Sequence, residues 1–265
     1  MNKRQKQKII STVIAVILIL SVDYFRNSLP SLNGEKAKQE TKPAVTTEES
    51  SDTRDNTGSS GSEQTQVFDL GSIPEYSGSP YTVVNRNTPD FTSAELEKAK
   101  SSYKTFSNLD FLGRCGVAEA SIGTDLLPNE KRGSIGMVKP SGWHTVRYDD
   151  LISDKYLYNR CHLIAFCLSG ENANSKNLIT GTRYLNVEGM LPFEEKTVRY
   201  VENTGNHVLY RVTPVFQGND LVARGVHMEA KSVEDNGAGI SFNVYCYNVQ
   251  PGITIDYATG NSHRS

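Results

Sequence analysis

The chain is short of the residues that build thiolate and imidazole metal clusters. Its 265 residues include four cysteines, Cys115, Cys161, Cys167 and Cys246, and five histidines. No two cysteines stand as C-x-x-C, and His144, His207 and His227 have no ligand-like spacing to His162, which argues against a structural zinc site. The four thiols read as small buried residues. Spacing alone pairs none of them into a disulfide, although an exported chain could oxidise them. Positive charge is also scarce. From Val67 onward, 19 Lys and Arg stand against 22 Asp and Glu, a net of −3. No broad basic field covers this part, so any affinity for a polyanion has to come from a local groove. Internal repeats are absent, and the one long apolar run lies within the first thirty residues.

That run extends from Ile9 to Val22, follows Lys3, Arg4, Lys6 and Lys8, and is prolonged by Tyr24 and Phe25. A basic start followed by such a stretch is the pattern of a secretory signal or an uncleaved signal-anchor. The next residues, Asp23-Tyr24-Phe25-Arg26, offer no small-x-small cleavage site, which favours the anchor. The run is slightly short of the ~20 residues of a comfortable span. Its positive flank predicts an N-terminus inside the cell and the rest exported, at the membrane or secreted. Residues 31–66 are rich in Glu, Lys, Thr, Ser, Gly and Asp and carry no aromatic residue or isoleucine. They cannot bury enough apolar surface to offset their ordering entropy, so a disordered tether is expected between an N-terminal segment (1–30) and a folded domain (67–265).

In the folded part, Thr92-Ser93-Ala94-Glu95 reads as a capping box that opens a helix through about Lys104. Gly113 to Val138 reads as short strands joined by turns, and Trp143 to Tyr148 as another short strand. Pro192 suits a helix start, with Glu194 and Glu195 in the first turn and Gly205 as the stop. His207 to Phe216 and Leu221 to Ala230 form a hairpin around Gly218-Asn219-Asp220, and Ile240 to Val249 alternates as a further strand. The fold class is α+β: a mainly antiparallel sheet with flanking helices.

Between two apolar runs stands Tyr158-Asn159-Arg160-Cys161-His162, followed by an Asn-rich segment with Glu171, Asn172, Asn174, Asn177 and, on a helix-like stretch, Asn186. Imidazole titrates near neutrality and is the natural general base here. Arg160 can grip a phosphate bidentately. An uncharged amide such as Asn186 suits Mg²⁺, which keeps most of its waters, with Mn²⁺ as a substitute. These side chains meet the needs of phosphodiester hydrolysis: a base, a cation and a clamp. Taken singly, His162 also reads as a satisfied core histidine and Asn186 as a helix-surface amide. Lys131 and Arg132, in a turn-like segment, and Arg183, one turn from Asn186, are candidate contacts for a nucleic-acid backbone. Lys196 and Arg199 read as surface charges, and Asp149-Asp150 as a solvated turn.

The run N-R-C-H-L-I (159–164) followed by G-E-N-A-N-S-K-N-L-I-T-G-T-R-Y-L-N-V-E-G-M (170–190) resembles the DNA/RNA non-specific endonucleases, a ββα-metal group, over roughly Phe68 to Tyr257. The likeness is nearest to the branch of streptococcal secreted DNases and DNA-entry nucleases. It implies His162 as general base, Asn186 as magnesium ligand and Asn177 as a supporting amide. It further implies Glu194, with Glu195 as second choice, as the acid that holds a water beside the metal, and Arg160 as the signature arginine. DNA, and RNA beside it, would be the substrate. No protein partner is implied. The family's signature is D-R-G-H, so Asn159 stands for its aspartate and Cys161 for its glycine. The second change requires ordinary strand backbone at Cys161. Two other readings stay open: a tethered, non-catalytic nucleic-acid receptor on the same fold, and an exported metallohydrolase of other substrates.

Overall fold

A computed structural model describes residues 69–265. The apolar helix expected within 1–30 and the tether expected over 31–66 lie outside the described residues. Among the described residues, no helix is long and apolar enough to cross a membrane.

The chain order is β1 (Tyr81–Val83), α1 (Ser93–Lys98), β2 (Tyr103–Phe106), β3 (Ala118–Ile122), β4 (Tyr158–His162), α2 (Phe166–Ser169) and β5 (Leu178–Thr182). A π-helical turn (Leu185–Met190), α3 (Leu191–Thr204), β6 (Val208–Val215), β7 (Gly225–Ser232), β8 (Ser241–Tyr247), β9 (Ile253–Ile255) and β10 (Ser262–Arg264) follow. Six strands make an antiparallel sheet in the order β1-β8-β7-β6-β3-β2, while β4-β5 and β9-β10 are separate two-stranded ribbons. The expected class is therefore found, with the site segment on a ribbon of its own.

Alternation in the long strands explains the layering. Val208, Tyr210 and Val212 of β6, Val226, Met228 and Ala230 of β7, and Phe242, Val244 and Cys246 of β8 are buried in one core. Cys161 and Ile179 of the ribbon, Leu168 of α2, Met190 of the π turn and Val201 of α3 complete that core. The other face carries both a small apolar cluster of Val215, Tyr245 and Tyr247 and a polar network. There Arg211 bonds Glu95 at 2.7 Å, Glu229 at 3.3 Å and the Asp90 carbonyl at 2.8 Å, which fastens the α1 segment to the sheet. The ribbon is tied to the sheet by one fully buried amide. Asn248 accepts from the Thr182 N–H at 2.8 Å and donates to the carbonyls of Thr180 (3.1 Å) and Ala223 (2.9 Å).

Several local expectations change. The Thr92/Glu95 capping box is present, but the helix ends at Lys98, because Tyr103–Phe106 pairs with β3 instead. Between Gly113 and Val138 only Ala118–Ile122 is a strand. Trp143 to Tyr148 contributes just the Arg147–Tyr156 bridge. In the hairpin β7 starts at Gly225, since the N–H groups of Leu221 and Val222 are taken by the Tyr257 carbonyl. The helix expected at Pro192 is entered from upstream through the π turn, whose wide geometry takes the Leu191 N–H to the Asn186 carbonyl. Pro192 has no N–H to give an α-helical ladder, so a widened turn just before it loses little. Gly205, at φ +72°, caps α3 with its N–H on the Val201 carbonyl, as expected. Of the four free cysteines, Cys167 is exposed rather than buried, because it stands in the single turn of α2 that faces a cleft.

Candidate active site

The cleft has a volume of about 640 Å³ and lies between the β4-β5 ribbon, the π turn with the start of α3, and the irregular segment 132–145. His162, Asn186 and Glu194 all line it. Pairing of β4 with β5 sets His162 opposite Leu178 at the ribbon's end. The imidazole is buried, with Nε2 2.8 Å from the Asn172 carbonyl oxygen. A carbonyl only accepts, so Nε2 carries the proton and the lone pair of the neutral ring falls on Nδ1. Nδ1 faces Arg132 Nη2 at 3.3 Å, a donor consistent with that tautomer. Burial is the main reason the ring's pKa lies below its ordinary 6.5. The Arg132 charge pushes the same way, and the Asn172 carbonyl opposes both. The ring is therefore neutral at pH 7, as a general base must be.

Strand alternation sends Asn159 and Cys161 toward the π turn, where they hold Asn186 from two sides. The Cys161 thiol lies 3.1 Å from Asn186 Oδ1, and Asn186 Nδ2 donates to Asn159 Oδ1 at 3.3 Å. These two contacts fix which end of the amide is oxygen, and Oδ1 keeps a second lone pair. The two departures from the D-R-G-H pattern are thus the residues that orient Asn186. Cys161 is ordinary strand, as expected, and its Cβ is accommodated by Gly181 of β5. A Cβ at Gly181 would come within 2.7 Å of Cys161 Cβ.

Glu194 is buried, and its carboxyl has no hydrogen bond or ion pair among the described residues. Burial pushes its pKa up from 4.5 to about 8; the Arg132 charge works against this and Glu195 adds to it. A buried acid without a hydrogen bond among the described residues, lining the same cleft as an amide oxygen, fits a hard, oxygen-loving cation. No cluster of three His, Cys, Asp or Glu able to hold a metal occurs among the described residues.

The other candidates fall into different positions. Arg160 stacks on Trp143, with its guanidinium carbon 4.0 Å from the ring centroid. Its Nε donates to the Val138 carbonyl and its Nη2 to that of Gly136 at 2.9 Å, so it pins the cleft's irregular wall. Asn177 is fully buried and takes the Ile164 N–H at 2.8 Å while donating to the Ile164 carbonyl at 2.9 Å; it locks the chain two residues past His162. Arg183 lines the cleft and is ion-paired to Asp154 at 3.0 Å. Lys131 is exposed and does not line the cleft. Asp149 and Asp150 are ion-paired, to Arg147 and Arg264. His144, His207 and His227 bond the Thr259 carbonyl, Glu234 and Asn243, away from the cleft. Sequence reasoning gave no part to Trp143, to the Cys161 thiol or to the Asn172 carbonyl. The last belongs to the backbone, which no residue type announces.

A ribbon carrying an imidazole, followed by a helix carrying an amide, is the layout implied for the ββα-metal nucleases. The family model described as DNA/RNA non-specific endonuclease matches residues 93–234, more than half of the chain, and the chain belongs to that family. A curated relative, "Deoxyribonuclease" from Streptococcus dysgalactiae subsp. equisimilis, is 33% identical over 112 residues, 40% of this chain. The match spans only 33% of that relative's length. Among solved structures, NucA from Streptococcus agalactiae with magnesium ion bound superposes with a TM-score of 0.63 at 26% identity, covering 74% of this chain and 92% of that one. Sda1 nuclease with bound zinc ion gives 0.57 at 27% identity, covering 70% and 97%.

Proposed function

We propose that the protein is a metal-dependent endonuclease that hydrolyses phosphodiester bonds of DNA without sequence preference. The observation that carries this reading is a neutral, buried His162 whose Nε2–H is held by the Asn172 carbonyl, leaving the Nδ1 lone pair toward Arg132 in the cleft that the Asn186 amide and the Glu194 carboxyl also line. In the reaction Nδ1 accepts the proton of the attacking water, and Arg132, which rests on Nδ1, turns to the non-bridging oxygens as phosphate enters. Asn186 and Glu194 would hold Mg²⁺, or Mn²⁺ in its place, the glutamate through a water. Bound there, the cation would supply positive charge to the phosphoryl group and the departing 3′ oxygen; release of that oxygen leaves 5′-phosphate ends.

Arg160 keeps the cleft wall in place and offers its remaining N–H groups to phosphate. Asn177 fixes the strand end that aims His162. Arg183 and Lys131 meet phosphates beyond the scissile one. All these contacts are to phosphate, so RNA is a substrate beside DNA. Residues 1–30 act as an export signal-anchor and 31–66 as a tether, which puts the domain at 67–265 outside the cell, at the membrane or released. The oxygen donors of Asn186 and Glu194 favour magnesium over zinc, while of the similar structures NucA carries magnesium and Sda1 zinc.

The test is plasmid nicking. The parent is expected to cut with Mg²⁺ and stop with EDTA, and His162→Ala to lose at least ~100-fold of the rate while melting near the parent. Equal nicking by His162→Ala would sink the role of the imidazole. A parent that binds plasmid and leaves it whole in Mg²⁺ would instead be a non-catalytic receptor.

A further inference from the structure

The cleft extends well past the groups that the chemistry uses. From His162 the chain leads back along β4 to Tyr156, six residues away and at most ~20 Å in extended backbone. Tyr156 lines the same cleft, with Trp143, Thr145, Asp154 and Arg183 near it. It is 44% exposed, one of seven exposed large hydrophobic residues among the described residues and the one of them that lines the cleft. The exposure is not looseness. Tyr156 bridges Arg147, the Leu157 N–H bonds the Val146 carbonyl at 3.0 Å, and the Tyr148 N–H bonds the Lys155 carbonyl at 2.8 Å. The Arg147 guanidinium lies 5.4 Å from the Tyr156 ring centroid and is itself held by both Asp149 oxygens at 3.0 Å. Of the cleft's other aromatics, Trp143 is covered by Arg160, Tyr158 is buried and Phe166 is only half-exposed.

A rigid, exposed ring on the rim of a phosphate cleft has the chemistry of a stacking platform. Every nucleobase has a π face, so stacking adds affinity without reading sequence. We infer that Tyr156 is a base-stacking subsite that takes a nucleobase turned out of the duplex, from a single-stranded or locally opened strand several residues from the cut. The inference rests on the nuclease reading above. It also supplies affinity to a domain whose net charge of −3 from Val67 onward offers none. Arg183, held by Asp154, lines the same cleft and would take the phosphate of the stacked nucleotide.

Fluorescence anisotropy of the full chain in EDTA tests this without cleavage, using a short labelled single strand, a matched abasic strand and the corresponding duplex. The parent is expected to bind the base-bearing strand ~10-fold more tightly than the abasic one. Tyr156→Ala removes that difference and Tyr156→Phe keeps it, while duplex binding changes least. Parent-like binding of the base-bearing strand by Tyr156→Ala overturns the inference, as does an equal loss on both strands. Hydrolysis of bis(p-nitrophenyl) phosphate with Mg²⁺ should be the same in Tyr156→Ala and the parent. A parent that hydrolyses no diester refutes the nuclease reading but leaves the binding comparison to decide the subsite.

Discussion

Glu194→Gln keeps the shape of a buried side chain and removes its ionisation, so it isolates one electrostatic term. In the folded protein burial raises the carboxyl pKa from 4.5 to about 8. The unfolded chain releases this proton near pH 4.5, so between the two values the native state holds one proton more. The associated stability is fully present below pH 4.5, falls as pH rises, and is gone by about pH 8. At ~1.36 kcal/mol per pH unit, that interval corresponds to at most ~5 kcal/mol, a large share of the ~5–15 kcal/mol that holds a typical domain. Urea unfolding in EDTA from pH 5 to pH 9, parent against variant, reads it directly. The parent should lose stability relative to Glu194→Gln across that window and run parallel to it above pH 8. The burial of His162 acts in the opposite direction, costing stability as pH falls below 6.5, but it is common to both proteins and cancels in the difference. Mg²⁺ added at pH 8 should raise the parent's midpoint more than the variant's, because a cation favours the ionised acid. Parallel profiles over the whole range would refute the picture of an isolated buried carboxyl.

Asn177→Ala leaves the Ile164 N–H and carbonyl without partners in a buried site. Two such groups cost ~2–5 kcal/mol, read as a melting-temperature drop of roughly 5–15 °C, with nicking falling alongside. Asn186→Ala should weaken Mn²⁺ binding at least ~10-fold by electron paramagnetic resonance titration, before any activity is measured; unchanged binding would remove Asn186 from the metal site. Arg132→Ala takes away a charge that helps depress the His162 pKa. The acid limb of the pH–rate profile, expected below 6.5 in the parent, should move up toward that value while the maximal rate drops. Cys161→Ala removes the thiol from Asn186 Oδ1 and spares Gly181, so metal affinity should fall several-fold with the melt within ~1–2 kcal/mol of the parent.

Several elements were legible because their cause is local. The Thr92/Glu95 box, the Gly205 cap and a strand within Ile240 to Val249 each follow from neighbours in sequence, and each is found, the strand being buried on both faces. The end of α1 was not legible. Lys98 to Lys104 has acceptable helix formers, but Tyr103–Phe106 gains more by pairing with β3. The short strands expected toward Val138 and at Trp143 to Tyr148 are replaced by an irregular wall, because its order comes from distant side chains. Arg160 reaches the carbonyls of Gly136 and Val138, and the Ser141 hydroxyl the Leu221 carbonyl.

The site shows the same division. Its residue types were readable from one stretch: a histidine, an arginine and amides between apolar runs, with a family resemblance carried by 159–190. Sequence therefore determined which groups are present, since that depends only on the order of side chains. Their roles were decided by the tertiary structure, because role depends on what each polar atom faces. Folding gives Nε2 of His162 to a backbone carbonyl and turns Nδ1 to Arg132, sets Arg160 against the cleft wall, and leaves the buried Glu194 carboxyl without a hydrogen bond among the described residues. It also brings Tyr156, unremarked in the sequence, into the same cleft as the imidazole.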